Sequence, residues 1–364
     1  MTDHGRLTDR PGAVNSAVRP GRIPPPAGIE VLGFHRQMPG YRPTPLVRLD
    51  GHASAVGVAA LYLKDESDRF GLPAFKILGA SWAVAQAVRA RPDTRVLIAA
   101  SAGNHGRAVA RVAAQRRLRC RIYLPAGTSE TRAGLITGEG AEIVRVDGAY
   151  DAAVAAAERA AEQPDTTLIA DTAAGAGAQT AAWVIDGYST LFREAATQGP
   201  GAFDLVMVPV GVGSLAAAAV RWAIHEHPTA AVVGVEPVAA ACVTASLQAG
   251  EPVAVSTPGT SMTGLDCATP STAAWPTLRD GLAGTICVTD TEAHHAMRDL
   301  AKLGLTIGDC GAATLAALGA LATRDEGAAL RAAVRLDPST TVLCIGSEGA
   351  SDPIAYRHIL TAPG

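Results

Sequence analysis

Short runs of valine, isoleucine and leucine alternate along this chain with longer alanine-rich amphipathic segments. Segments 105–117 and 150–163 are typical of the second kind and predict helices. The apolar runs predict strands. They are residues 60–66, 94–101, 120–127, 141–148, 166–173, 203–211, 231–237, 284–290 and 340–349. This alternation predicts an α/β fold with mostly parallel sheets that are covered by helices on both faces.

Composition narrows the class of protein. With 364 residues, 48% of them hydrophobic, the chain can bury one large core or two cores in two domains. The formal net charge is −3, with both signs spread along the chain, so neither nucleic acid nor an anionic membrane surface is an expected partner. Six cysteines and nine histidines lie without metal-ligand spacing, and no metal site is predicted.

The first 28 residues are rich in proline, glycine and arginine and are expected to form a disordered tail. They contain no apolar core of the length that a signal peptide requires, and no later run is long enough to span a bilayer. We therefore expect a cytoplasmic protein.

One lysine stands out because the chain has only three, Lys64, Lys76 and Lys302, whereas its other basic residues are arginine. Lys76 lies between Phe75 and Ile77 in an apolar stretch after a Gly/Pro turn. A primary amine can lose its proton and attack a carbonyl, which a guanidinium cannot. The sequence thus points to an amine nucleophile at Lys76.

In parallel α/β sheets ligands bind beyond the carboxyl ends of the strands. The loop 211–214 (GVGS) follows one predicted strand and opens a helix, which suits a phosphate, although a tight turn without a ligand has the same pattern. Asn104 opens the helix after another strand, where it could also serve as a cap. Ser347 follows the last strand and could face a pyridine nitrogen. Together these features describe a site for pyridoxal 5'-phosphate.

The sequence resembles the fold type II pyridoxal-phosphate enzymes and, among them, the diaminopropionate ammonia-lyases. The resemblance runs from about residue 34 to 354 and includes FHRQMPGYRPTPL, KDESDRFGLPAFKILGAS, GNHGR, GVGS and GSEGASDP. It implies two three-layer α/β/α domains with mostly parallel sheets and the active site between them. The expected division is a tail at 1–28, a large cofactor-binding domain at 29–90 plus 200–364, and a small domain at 91–199.

The resemblance also implies roles for individual residues. Lys76 and Asp171 are the expected catalytic residues, Lys76 as the Schiff-base lysine and Asp171 as the acid for the leaving amine. Asp65 and Glu66 either brace the segment of Lys76 or end a strand in solvent. The expected cofactor ligands besides Lys76 are Asn104, Gly211, Val212, Gly213, Ser214 and Ser347, and the expected substrate contacts are Ser101, Ala102, His105 and Thr172.

Three departures from the family pattern concern the substrate. Ala102 stands where relatives carry the aspartate that is thought to act on the D-isomer, so we expect little turnover of that isomer. Residues 174–177 (AGAG) replace bulkier and more polar side chains. Asp309 and Cys310 replace glutamate and serine.

The function expected from the resemblance is elimination of ammonia from 2,3-diaminopropionate, with the L-isomer favoured, to give pyruvate and ammonia. The alternatives are a related lyase or β-replacement enzyme acting on another β-substituted amino acid, or a serine/threonine dehydratase. A non-catalytic regulator with the same fold is a remote alternative. The resemblance further implies a homodimer.

Overall fold

The computed structural model describes residues 12–148, 150–172 and 177–362. Its strands are β1 (Gly12–Val14), β2 (Leu46–Arg48), β3 (Ala60–Asp65), β4 (Val96–Ala100), β5 (Arg119–Pro125), β6 (Glu142–Val146), β7 (Thr166–Leu168), β8 (Leu205–Pro209), β9 (Ala231–Pro237), β10 (Gly284–Val288) and β11 (Thr341–Gly346). All nine strands predicted from the apolar runs form, as β3 to β11.

The strands build two sheets. The larger has the order β1-β10-β9-β8-β11-β3-β2, and the smaller has the order β6-β5-β4-β7. Every pairing is parallel except those of the two edge strands β1 and β2. The predicted α/β class with mostly parallel sheets is therefore confirmed.

Helices fill the connections between the strands and cover the sheets. They are α1 (Ile29–Arg36), α2 (Asp50–Val56), α3 (Lys76–Ala90), α4 (Asn104–Gln115), α5 (Glu130–Thr137), α6 (Tyr150–Ala160), α7 (Ala178–Gln198), α8 (Ser214–Glu226), α9 (Cys242–Ala249), α10 (Trp275–Gly281), α11 (Asp290–Lys302), α12 (Asp309–Thr323), α13 (Ala328–Ala333) and α14 (Pro353–Thr361). Within the described ranges, no helix combines the length and the apolar character needed to cross a membrane.

The largest hydrophobic cluster draws on both sheets. It contains Leu97 and Ile122 of the smaller sheet, Val208 and Leu343 of the larger one, and apolar side chains of α3, α4, α7 and α8. Burial of this continuous apolar surface is the main force that holds the two sheets together. A second cluster covers the other face of the larger sheet under α11 and α12, and a third lies under α6.

The described part of the expected tail is ordered. β1 pairs with β10, and Asn15 Nδ2 donates to the carbonyl oxygens of Arg279 and Leu282, each at 2.8 Å. Ile23 is buried. Residues 12–28 thus dock on the larger sheet through a three-residue edge strand and one apolar anchor, whereas residues 1–11 of the predicted tail lie outside the described residues.

The domain division stays a prediction. The strands of the smaller sheet all lie within 91–199, and those of the larger sheet all lie outside that range. However, α7 lies within 91–199 and packs its buried side chains into the cluster shared with α3 and α8.

Candidate active site

Five loops meet where strands of both sheets end. They follow β3, β8 and β11 of the larger sheet and β4 and β7 of the smaller one. The predicted site residues lie in these loops or on the first turns of the helices after them, because parallel strands present their carboxyl ends at one edge.

Lys76 is the first residue of α3 and lies close to Asp171, the third residue after β7. Lys76 Nζ lies 3.2 Å from Asp171 Oδ2, and their side chains are 20% and 14% exposed. The structure thus joins the two expected catalytic residues, which are 95 positions apart in sequence.

The loop before Lys76 is held by a buried network of two cations and two carboxylates. Arg69 donates to Glu66 at 2.6 Å and to Glu194 at 2.8 Å, and Lys64 Nζ donates to Glu194 at 2.9 Å. Lys64 completes its three bonds with the Thr44 carbonyl and the Gln198 side chain. Each buried charge is thus paired and hydrogen-bonded, which is the condition for tolerating charges in a low dielectric. For Glu66 the bracing role is the one that the geometry supports.

Asp171 faces two basic side chains. Besides Lys76, His105 Nδ1 lies 3.9 Å from Asp171 Oδ2. Although burial opposes ionisation, His105 and Lys76 hold the pKa of Asp171 below its ordinary value. Burial likewise opposes the Lys76 ammonium, but Tyr188 and Asp171 raise the pKa of that amine overall. In the absence of other groups the pair is therefore an ammonium and a carboxylate.

His105 is fixed in one orientation. Its Nε2 donates to the Ile169 carbonyl at 2.8 Å, while Nδ1 is buried and has no hydrogen-bond partner among the described residues. Nε2 carries a proton because the carbonyl only accepts, and attraction between Nδ1 and the Asp171 carboxylate requires a proton on Nδ1 as well. The sequence predicted substrate contact for His105, and the structure places it behind Asp171.

The loop 211–214 forms a tight cradle before α8. Gly213 has φ +95°, and a Cβ on it would lie 2.3 Å from Leu278 Cδ1, so a side chain is excluded by both conformation and space. A Cβ on Gly211 would lie 2.8 Å from the Gly264 carbonyl oxygen. Ser214 begins α8, and its Oγ donates to the Asp171 carbonyl at 3.0 Å. Together with Val212, these residues offer backbone N–H groups at the positive end of a 13-residue helix.

On another side of the site, Asn104 contacts Glu348, the residue next to Ser347. Asn104 is the first residue of α4, and its Nδ2 donates to Glu348 Oε2 at 2.6 Å and to Ser351 Oγ at 2.9 Å. Ser347 is buried directly after β11, and its carbonyl accepts from Phe75 N, next to Lys76.

The remaining expected substrate contacts line the smaller sheet's edge. Ser101 Oγ accepts from Gly103 N at 3.3 Å, and Ala102 is half-buried beside it. Thr172 lines a small recess together with Asp171. Of the altered stretch at 174–177, residues 174–176 lie outside the described residues. A Cβ on Gly177 would lie 2.8 Å from Ala170 Cβ, so close packing explains that glycine.

Three aromatic or thiol groups near the site were missed by the sequence analysis. Tyr188 of α7 places its ring centroid 6.0 Å from Lys76 Nζ, because α3 and α7 cross closely at Gly79 and Gly187. Tyr150 lines the recess and donates to the Ala100 carbonyl at 3.1 Å. Cys267 Sγ lies 3.0 Å from the place of a Cβ on Gly211. The paired small residues of α3 and α7 were the available signal for Tyr188.

A cluster of two carboxylates and a thiol lies close to Asn104. The ligand atoms of Asp309, Cys310 and Glu348 lie within 4.8 Å of one another. Burial and the neighbouring Glu348 raise the pKa of Asp309 to about 7. We propose no metal here, because Glu348 already binds Asn104 and Ser351.

The donor set fits pyridoxal 5'-phosphate. Lys76 offers an amine for its aldehyde, the glycine loop before α8 offers backbone N–H groups at a helix N-terminus for its phosphate, and Asn104 and Ser347 offer polar groups for the ring. The sequence model of the pyridoxal-phosphate dependent enzymes matches residues 37–346. The chain belongs to this family.

Several relatives share nearly its whole length. Diaminopropionate ammonia-lyase from Salmonella typhimurium is 33% identical over 92% of this chain and 91% of its own. A biosynthetic L-threonine dehydratase from Mycobacterium leprae is 30% identical over 93% of this chain and 76% of its own. The crystal structure of Escherichia coli diaminopropionate ammonia-lyase with an aminoacrylate-PLP azomethine intermediate has a TM-score of 0.88, 30% identity and 96% coverage of both chains. As a fold type II enzyme of this family, the chain uses pyridoxal 5'-phosphate.

Proposed function

We propose that this pyridoxal-phosphate dependent enzyme eliminates ammonia from 2,3-diaminopropionate, with the L-isomer favoured, and yields pyruvate and ammonia. The observation that carries the proposal is the pairing of Lys76 with Asp171 at 3.2 Å beside the glycine cradle. A base and an acid within one hydrogen bond can serve the two ends of a β-elimination. The relatives named diaminopropionate ammonia-lyase, which match over nine tenths of both chains, support the substrate.

The residues that would hold the cofactor are those of the five loops. Lys76 would hold its aldehyde carbon, residues 211–214 its phosphate, and Asn104 and Ser347 its ring. When bound, the cofactor supplies an electron sink for the carbanion that forms at the α-carbon of the substrate.

Proton transfer falls to the chain's own side chains. The Lys76–Asp171 pair shares one mobile proton across 3.2 Å; with that proton on Asp171, Lys76 takes the α-proton as an amine and Asp171 gives its proton to the departing β-amine. Because Asp171 is within 3.2 Å of Lys76 Nζ, the proton gained by the lysine can return to the carboxylate, so the pair ends the elimination in its starting protonation state. His105 faces the same carboxylate and stabilises its negative charge.

Ala102 supports the stereochemical part of the proposal. The E. coli relative has been crystallised with D-serine, and its structure aligns over 96% of this chain. In this chain the methyl group of Ala102 can neither remove nor return an α-proton. At this position the chain therefore offers no group that can transfer a proton on the face opposite Lys76.

A second candidate is dehydration of serine or threonine. The M. leprae dehydratase, at 30% identity over 93% of this chain, favours it. Both reactions use a lysine base and a leaving group on the β-carbon, so the present geometry serves either.

The test measures 2-oxo acid release by the purified, cofactor-loaded protein from L- and D-diaminopropionate, L-serine and L-threonine side by side. We expect rapid pyruvate formation from the L-diamine and little from its D-isomer. Faster turnover of serine or threonine would favour the dehydratase. Silence on all four with cofactor bound would indicate another β-substituted amino acid.

Assembly and location belong to the same proposal. We propose a homodimer that acts in the cytoplasm, where thiols stay reduced. In the part of the chain that the structure describes, none of the six cysteines forms a disulfide, and five of them are buried. Light scattering of the eluting protein should give twice the chain mass of 37.0 kDa.

A further inference from the structure

Glu348 connects three parts of the candidate site. Its backbone pairs with Ala74, two residues before Lys76, and its carbonyl accepts from Gly308 N at 2.9 Å at the start of α12. From this pinned backbone the side chain reaches Asn104 on α4, so it joins the larger sheet to a helix of the smaller one.

We infer that Glu348 is a positioning residue that orients the Asn104 amide toward the cofactor ring. The inference rests on the proposed function, in which Asn104 binds the ring hydroxyl of pyridoxal 5'-phosphate. Glu348 itself does not contact the reacting atoms.

Glu348 selects one of the two orientations of the Asn104 side-chain amide. The two ends of an asparagine side chain are similar in size, but Nδ2 only donates and Oδ1 only accepts. A carboxylate only accepts, so Glu348 Oε2 at 2.6 Å selects Nδ2. The ring oxygen of the cofactor, when ionised, also requires a donor. The orientation that Glu348 imposes is therefore the one that serves the ring.

Asn104 Nδ2 has enough protons to serve both Glu348 and the cofactor. Asn104 Nδ2 carries two, of which one goes to Glu348 and the other to Ser351 Oγ at 2.9 Å. Ser351 Oγ in turn donates to Glu348 Oε2 at 2.8 Å. The bond to the charged carboxylate is the stronger of the two that Asn104 makes. Cofactor binding thus takes the proton from Ser351, while Glu348 keeps its own.

The charge of Glu348 strengthens its dependence on these hydrogen bonds. No salt bridge joins Glu348 to a basic side chain among the described residues; its neighbours within ligand distance are Asp309 and Cys310. Glu348 is 8% exposed, and its carboxylate accepts hydrogen bonds from Asn104 and Ser351, with the Cys310 thiol alongside. This dependence makes the orientation of Asn104 energetically costly to reverse.

The experiment measures cofactor affinity. Holoenzyme of each variant is equilibrated at a series of free pyridoxal 5'-phosphate concentrations, and bound cofactor is quantified by its visible absorbance. We expect Glu348→Ala to weaken binding roughly tenfold, the loss of one charge-assisted bond. Glu348→Gln should restore most of the affinity, because an amide oxygen still accepts from Asn104. Ser351→Ala should weaken binding less than about threefold.

Two controls separate positioning from folding and from the proposed function. Asp352→Ala removes the cap of α14 in the same loop and should lower Tm without changing cofactor affinity. In an Asn104→Ala background, Glu348→Ala should cause no further loss. A full loss there, or a lower Tm with unchanged affinity in Glu348→Ala, would overturn the positioning role. Unchanged affinity in Asn104→Ala would instead contradict the assignment of Asn104 itself.

Discussion

Two buried groups of carboxylates lie near the candidate active site, and they differ in whether cations accompany them. In the network behind Lys76, Glu66 and Glu194 are matched by Lys64 and Arg69. Although burial opposes ionisation, Arg69 and Lys64 hold the pKa of Glu194 below its ordinary value.

Among the described residues, no basic side chain forms a salt bridge with the second group. Asp309 lies beside Glu348, and burial together with that neighbour raises the pKa of Asp309 to about 7. Burial opposes ionisation of both Glu194 and Asp309, and the charge of the neighbouring side chains decides the direction of each pKa shift. The neutralised network suits a scaffold, whereas the group without cations suits hydrogen bonding to a polar side chain such as Asn104.

The network behind Lys76 should be the more costly to disturb. Glu194→Gln leaves Lys64 and Arg69 short of a buried carboxylate and should lower the free energy of unfolding by about 3–5 kcal/mol. Urea denaturation measures the change. Glu226→Gln is the matched control, because Glu226 pairs with Arg193 at 2.9 Å but is one-third exposed, and the expected loss is under about 1 kcal/mol. Equal losses in the two variants would show that the buried network has no special role.

Asp171 is intermediate between these two groups, because it has a cationic partner, Lys76, that is partly exposed. Asp171→Asn keeps the shape but removes the proton donor, so kcat should fall on the order of 10²-fold. The free energy of unfolding should change by less than about 1 kcal/mol, because Lys76 at 20% exposure can recover hydration. Steady-state pyruvate release and urea denaturation measure the two. An unchanged kcat would remove Asp171 from the mechanism.

Asp309 tests the group without cations. Since its pKa is raised from 3.8 to about 7, the folded state binds the proton more tightly than the unfolded state. Its stabilising contribution is complete below the unfolded pKa and is lost as pH rises toward 7. The free energy of unfolding should therefore decline as pH rises from 5 to 8, and in Asp309→Asn this decline should be about 1–3 kcal/mol smaller. Urea denaturation at pH 5 and pH 8 measures it.

The decline should become smaller rather than vanish. Burial also raises the pKa of Glu236 to about 7, and this residue remains in the variant. Asp325→Asn serves as the control at an exposed position of the same chain. A decline of the same size in Asp309→Asn and wild type would contradict the raised pKa.

Much of the fold was predictable because its information is local. Each apolar run between turn residues became a strand, and the parallel arrangement follows from the helices between them. β1 and β2 were missed, since three-residue edge strands carry too few side chains to show a period.

The site was predictable in part for a related reason. Ser347 directly follows a strand, and Lys76, Asn104 and Ser214 begin the helices after strands, so topology brings all four to one edge. The sequence analysis assigned no role to Tyr188, which depends on the crossing of α3 and α7, or to Glu348, whose side chain reaches from the larger sheet to α4.

The sequence by itself determined the α/β class, the strand ends that carry chemistry, and the amine, glycine loop and hydroxyl that together indicate pyridoxal 5'-phosphate. These follow from residue type and short-range spacing. The tertiary structure alone decided that Asp171 meets Lys76, that His105 stands behind Asp171, and that Glu348 binds Asn104. Such pairings span 66 to 244 positions, and only packing of the two sheets on one core sets their distances.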